Sequence, residues 1–379
     1  MCLRLSRVEA QQPILRRFLS VTTKMRIGVF SKFEMAGGSE RRCVELANAI
    51  TRHSRHDATL FSENGFPDRL REDVAPKVRF VERALVGRNE CPGEFTDLDV
   101  LLVVNTDSKE FCRADYWQGR SQRHATAVDL HRVGQVVFLF NFIVSPARHL
   151  VELEGLTTRL KIITANHKFL DEIGEQERYR AVRHLPRTML ESPINPASVT
   201  ETKTSDSRLR IGMHSTSNGD KWNQDWPRLI RVVNERCGAE RILWRFMGMP
   251  CAMRARLAEF TNAIAYPEHA FSVNDFLQEL DIFCFFTSWK REEAWSRSVA
   301  EALMSGCPVL ATPRGGNRDQ IVSGNNGLLC KDLSAFEAGI HELVDRPQLR
   351  LAMSDEARRR ARGFRTEAVL KRFLEFLDL

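Results

Sequence analysis

Residues Glu292–Thr312 read EEAWSRSVAEALMSGCPVLAT, and PRGGNRD follows at Pro313–Asp319. A loop rich in acids gives way to a helical segment, a Gly-Cys-Pro turn and a short apolar strand, which is the pattern of an α/β unit. Glu293 and Glu301 stand eight residues apart in it. If the helix begins near Ala294 to Ser296, Glu293 sits at its tip and Glu301 lies about 12 Å further along the axis. The free N–H groups and positive end of such a helix, with Ser296 and Ser298 beside them, suit a diphosphate. The plainer alternative makes both acids solvated residues of a helix face, with Glu293 supporting the first turn.

Outward from this stretch, strand and helix patterns alternate along the chain. MRIGVFS, at Met25–Ser31, is apolar and extended, and RRCVELANAITRH carries Val44, Leu46, Ala47 and Ile50 on one helical face. Strands are expected at DATLFSE, KVRFVER, DVLLVVN, QVVFLFN and RLKIITAN. Periodicity disappears in LESPINPASVTETKTSDSRLR, where Ser, Thr and Pro accumulate as in a linker. A second series then runs through LRIGMHS, WPRLIRVVNERC, ERILWRFMG, NAIAYPE, VNDFLQEL and DIFCFFTS to PVLAT. The fold class expected is α/β, with two Rossmann-like domains whose parallel sheets face each other across a cleft. The boundaries expected are an extension at 1–24, a first domain at 25–190, a linker at 191–208, a second domain at 209–360 and a C-terminal helix at 361–379 that crosses back to the first domain.

Composition limits the function classes. The 379 residues are 43% hydrophobic and 28% charged, an ordinary globular balance long enough for about two cores. VVFLFNFIV is far too short to span a bilayer. Nine cysteines lie scattered without a CxxC pair, which reads as reduced, mostly buried thiols in a cytoplasmic protein. Of the net charge of +7, +4 lies in MCLRLSRVEAQQPILRRFLSVTTK, the first 24 residues. The remainder has no basic stripe interleaved with aromatics, so nucleic acid is not an expected partner. The extension lacks a secretory signal pattern and reads either as the product of an upstream start or as a basic arm giving peripheral contact at the inner membrane face.

EAWSRSVAEALMSGCPVLAT resembles the E-x7-E segment of retaining GT-B glycosyltransferases, the family 4 group also called glycosyl transferases group 1. AGGSERRCVELANAI, ITANHKFLDEI, SPIN, DFLQELDIFCFFTS and PRGGNRDQIVSGNNGLLC extend the likeness in order. The resemblance implies a nucleotide-sugar donor as co-substrate, a saccharide or lipid-linked acceptor in bacterial cell-envelope synthesis, retention at the anomeric carbon, and no cofactor or metal. It makes Glu301 the ribose ligand and Glu293 the acid at the donor sugar. Gly37 and Gly38 become a loop close to the diphosphate or the acceptor, with a plain strand-to-helix turn as the alternative, and Gly315 and Gly316 a tight turn at the donor pocket that is read equally well as purely structural.

Two positions depart from the family pattern. The donor clamp there uses an Arg and a Lys after the first strand of the second domain. In IGMHSTSNGDKW, Lys221 is present and Met213 stands where the arginine is expected, so either His214 or another cation substitutes for it or donor use is weakened. A His after the fifth strand of the first domain is replaced near FLFNFIV by Asn141, which can still donate and accept hydrogen bonds. The D-x-D match at Asp97–Asp99 reads as a strand entry. The alternatives to a transferase are another GT-B activity, such as a phosphorylase or epimerase, and a donor-binding protein weakened in catalysis by the loss of the arginine.

Overall fold

A computed structural model of the protein describes residues 23–31, 33, 38–62, 65–82, 97–104, 133–140, 159–194 and 207–379. Seven parallel strands form the first sheet: β1 Arg26–Ser31, β2 Asp57–Ser62, β3 Arg79–Val81, β4 Val100–Val104, β5 Gln135–Phe140, β6 Leu160–Thr164 and β7 Arg187–Met189. Their order is β3-β2-β1-β4-β5-β6-β7. The second sheet has six: β8 Leu209–His214, β9 Ile242–Met247, β10 Ala263–Tyr266, β11 Ile282–Phe285, β12 Val309–Ala311 and β13 Gly327–Leu329. Their order is β10-β9-β8-β11-β12-β13, again parallel throughout.

Helices on both faces explain the unbroken apolar runs of the central strands. Every residue of β4, VLLVV, and of β6, LKIIT, is buried, as strands covered on two sides require. In the second domain the helix Trp226–Cys237 buries Trp226, Leu229, Ile230, Val233 and Cys237, a stripe with helical period. Trp226 meets Trp244 of β9, Phe246 of β9 and Phe286 edge-on, and this aromatic group anchors the second core.

The chain returns to the first domain at its end. Val369, Leu370 and Phe373 of the helix Thr366–Phe376 join the cluster built on the helix Gly38–His53 and on β1, β2 and β4. Lys161 of β6 donates to the Phe376 carbonyl at 2.6 Å and pairs with Asp378 at 2.8 Å. Where the chain leaves β7, the buried guanidinium of Arg42 donates to the Leu190 and Glu191 carbonyls, and Arg372 holds the Glu191 carboxylate at 2.8 Å. Burial pulls the Arg42 pKa down to about 10. The Ile194 amide then bonds the Phe364 carbonyl at 2.9 Å, so the outgoing and returning segments are tied together.

Candidate functional site

In each sheet the strand order reverses once, between β1 and β4 and between β8 and β11. The crevice outside the carboxyl ends of the strands at that reversal is where such folds receive ligands. In the second domain β8 ends on His214 and leads to the turn Gly219–Lys221; β11 ends on Phe285 and leads to the loop that carries Arg291 and Glu293. Topology therefore brings Lys221, Arg291 and Glu293 together. The Lys221 ammonium lies 3.6 Å from Glu293 Oε1, and Arg291 Nε donates to the same oxygen at 3.0 Å. Arg291 is a cation that the sequence reading did not single out, although it sits directly before the acid pair in WKREE.

The helix after this loop spans Arg297–Met304 and is capped by Ser296, whose hydroxyl accepts from the Val299 amide at 3.4 Å. Gln320 brackets the cap, accepting from the Ser296 amide and donating to its carbonyl at 2.8 Å. Glu293 thus stands in the loop before the helix, and the 12 Å helical rise expected between the two acids does not describe their separation. Among the described residues, the amides of Arg297 and Ser298 have no acceptor at this helix tip.

The glycine pair holds the loop in place. Gly315 has φ +50°, and a Cβ there would lie 2.1 Å from the Glu293 carbonyl oxygen. A Cβ on Gly316 would lie 2.3 Å from the Ala294 carbonyl oxygen, and the Gly316 amide bonds the Glu293 carbonyl at 3.0 Å. Packing against the Glu293 backbone therefore explains why both positions are glycine. Gly316→Ala should destabilise the fold by about 1 to 2 kcal/mol and displace the Glu293 loop. Thermal melts check the first effect; an unchanged melting temperature would show that the loop gives way freely.

Glu301 is half-buried one turn into the helix. Its Oε1 accepts from Arg297 Nε at 2.7 Å, and its Oε2 lies 3.5 Å from His214 Nε2. Arg297 also reaches Glu45 of the first domain with both terminal nitrogens, at 2.7 Å each. Burial opposes the Arg297 charge, but the carboxylates of Glu45 and Glu301 outweigh it and raise its pKa. Burial raises the pKa of Glu45, with Arg297 pulling the other way.

Strand alternation separates Met213 from His214. His214 is 6% exposed and packs against Phe276 and Phe283 on the side of Glu301. Met213 is 0% exposed and belongs to the hydrophobic core of the second domain. The expectation that Met213 occupies the place of a diphosphate-binding arginine is therefore corrected, because its side chain lies in the core.

Burial lowers the His214 pKa, more than the Glu301 charge raises it. A histidine kept neutral in the folded state takes up protons less readily than it does unfolded, so stability should fall once pH drops below about 6.5. His214→Phe keeps a ring between Phe276 and Phe283 and should remove that part of the acid sensitivity. Melting curves at about pH 7.5 and about pH 5.5 compare the two proteins, and equal losses would exclude His214 as the source.

The cleft is bridged from the first domain by three consecutive residues. Asn166 caps the helix His167–Glu175 and donates to the Ala294 carbonyl at 3.0 Å, His167 meets Asp319 at 2.9 Å, and Lys168 meets Glu292 at 2.7 Å. Gly38 opens its helix in an exposed position, and among the described residues a Cβ there would meet nothing within 4 Å. Gly37 and Asn141 lie outside the described residues. Asp97 and Asp99 both engage Arg26 at the start of β1, at the opposite end of the sheet from the cleft. No helix among the described residues is long and apolar enough to cross a membrane.

Comparison with known proteins agrees with the two-domain fold. Anabaena Alr3699/HepE, solved with UDP and glucose, superposes with a TM-score of 0.66 at 15% identity, covering 93% of this chain and 99% of that one. A glycosyltransferase from Rickettsia africae gives 0.69 at 14% identity over 94% and 98%. Sucrose-phosphate synthase from Thermosynechococcus elongatus gives 0.63 at 13% identity over 94% and 98%. Among curated proteins, trehalose synthase of Pyrococcus horikoshii is 29% identical over 119 residues, which span 31% of this chain and only 28% of that protein. Two parallel-sheet domains on the GT-B plan thus carry, at residues 262–360, a match to the family model Glycosyl transferases group 1, the segment that holds the Glu293 loop, the Glu301 helix and the glycine pair.

Proposed function

We propose that the protein transfers a sugar from a nucleotide-sugar donor to a saccharide or lipid-linked acceptor, with retention at the anomeric carbon. The observation that carries this reading is the set of groups at the β8/β11 reversal: two carboxylates, two cations and an open helix tip within one cleft. The amides of Arg297 and Ser298 and the positive helix end receive the diphosphate, with the Ser298 hydroxyl beside them. Lys221 and Arg291 exchange Glu293 for phosphate oxygens and neutralise them. Glu301 accepts from ribose hydroxyls, and Glu293 from hydroxyls of the transferred sugar.

Two cations and a helix dipole supply the charge a departing diphosphate needs, so the scheme requires no metal. The leaving diphosphate takes the proton of the acceptor hydroxyl as that oxygen attacks from the same face, and no covalent enzyme intermediate is formed. Gly38, exposed at the start of its helix, fits a place where backbone approaches the donor. Asn141 stands in this reading on the acceptor side, and a cell-envelope polysaccharide or glycolipid is the acceptor class. The solved relatives that hold UDP or UDP-glucose support the donor class.

Incubation with a panel of nucleotide sugars, with and without saccharide acceptors, tests the reading through release of nucleoside diphosphate. Acceptor-dependent release, with the anomeric configuration kept in the product, is the expected result. Binding without release would leave a donor-binding protein, and absence of binding to every donor would overturn the reading.

A further inference from the structure

Arg297 spends its entire guanidinium on two carboxylates from different domains. Nε holds Glu301 Oε1, while Nη1 and Nη2 form a two-pronged contact with Glu45 in the helix Gly38–His53, all at 2.7 Å. The three side chains are 15% to 22% exposed, so the contacts are shielded from solvent on most sides. Glu301 is thereby fixed with Oε2 as its less committed oxygen, since His214 Nε2 faces it at 3.5 Å without forming a hydrogen bond. A planar fork with two partners orients each of them more tightly than an ammonium could.

We propose, building on the donor reading above, that Arg297 is a positioning residue for Glu301 and that Glu45, from the opposite domain, sets nucleotide affinity through it. Glu45 and Glu301 share Arg297 between them, Glu45 on the terminal nitrogens and Glu301 on Nε. Its carboxylate holds the guanidinium, the guanidinium holds Oε1, and Oε2 is left for ribose hydroxyls. When the domains move apart, Glu45 withdraws, Arg297 keeps one partner, and the Glu301 carboxylate loses its fixed orientation. Affinity for the nucleotide and closure of the domains are then one linked equilibrium, and each must favour the other by the same factor.

Calorimetric titration with UDP, GDP and ADP, alongside scattering measurements of domain separation, tests the coupling. Glu45→Gln should weaken binding of the preferred nucleoside diphosphate about 3- to 10-fold, Arg297→Lys about 10-fold or more, and Glu45→Asp less than Glu45→Gln. In a Glu301→Ala background, Glu45→Gln should cause no further loss, which a purely structural role of Glu45 does not predict. Bound nucleotide should also reduce domain separation in the native protein more than in Glu45→Gln. If Glu45→Gln does not fold, Glu45→Asp and its double variant carry the same test. Native affinity retained in the Glu45 variants, or losses that add in full, would overturn the proposal while leaving the donor site standing. A native protein that binds none of the three nucleotides overturns the donor reading and this coupling with it.

Discussion

Met213→Arg is expected to lower the stability of the second domain by about 3 to 5 kcal/mol, because it places a charged guanidinium in a hydrophobic core. Met213 is fully buried in the cluster that includes Trp222, Trp226 and Phe246. From sequence position alone the same substitution would tighten donor binding, since it restores an arginine after Gly212. The two outcomes are opposite and easily separated by a thermal melt followed by nucleotide titration. A preserved melting temperature with tighter binding would mean that this side chain reaches the cleft after all.

Glu301→Ala is expected to weaken nucleoside diphosphate binding by about 1.5 to 3 kcal/mol, roughly 10- to 150-fold, through loss of a charged acceptor for ribose hydroxyls. The fold should survive, because Arg297 keeps its two contacts with Glu45. Glu293→Ala should instead reduce turnover more than nucleoside diphosphate affinity, since its proposed partner is the sugar. Calorimetry on the two variants separates the roles; unchanged nucleotide affinity in Glu301→Ala removes the ribose assignment.

Much of the fold was legible because parallel strands buried on both faces read as unbroken apolar runs. The run DVLLVVN became β4 and RLKIITAN became β6, each within a residue or two of the expected limits. The edge strands β3 and β10 were marked by KVRFVER and NAIAYPE, but the edge strand β7 was not legible: it is only Arg187–Met189 and none of its residues is fully buried, so no apolar run marks it. The strand β13, Gly327–Leu329, escaped notice because it is equally short. At the site, the eight-residue spacing drew attention to Glu293 and Glu301, and IGMHSTSNGDKW to Lys221 and His214. Arg291, Arg297 and Glu45 carry no such spacing signal; Glu45 lies 252 residues from its partner.

The sequence by itself determined the alternation of strands and helices, the two-domain plan and the acid-bearing segment from Glu293 to Gly316, because hydrophobic period and turn chemistry are local properties of the chain. Tertiary structure alone decided which side of a strand each residue faces and which charges meet. Met213 and His214 are neighbours in sequence, yet the strand pleat sends one into the core and turns the other toward Glu301. Gly315 and Gly316 are glycines because a distant turn passes within contact of the Glu293 and Ala294 backbone, and Arg297 is buried because a helix of the other domain brings it a carboxylate. Contacts of that kind depend on how separate elements pack, and packing joins residues whose separation along the chain carries no period to read.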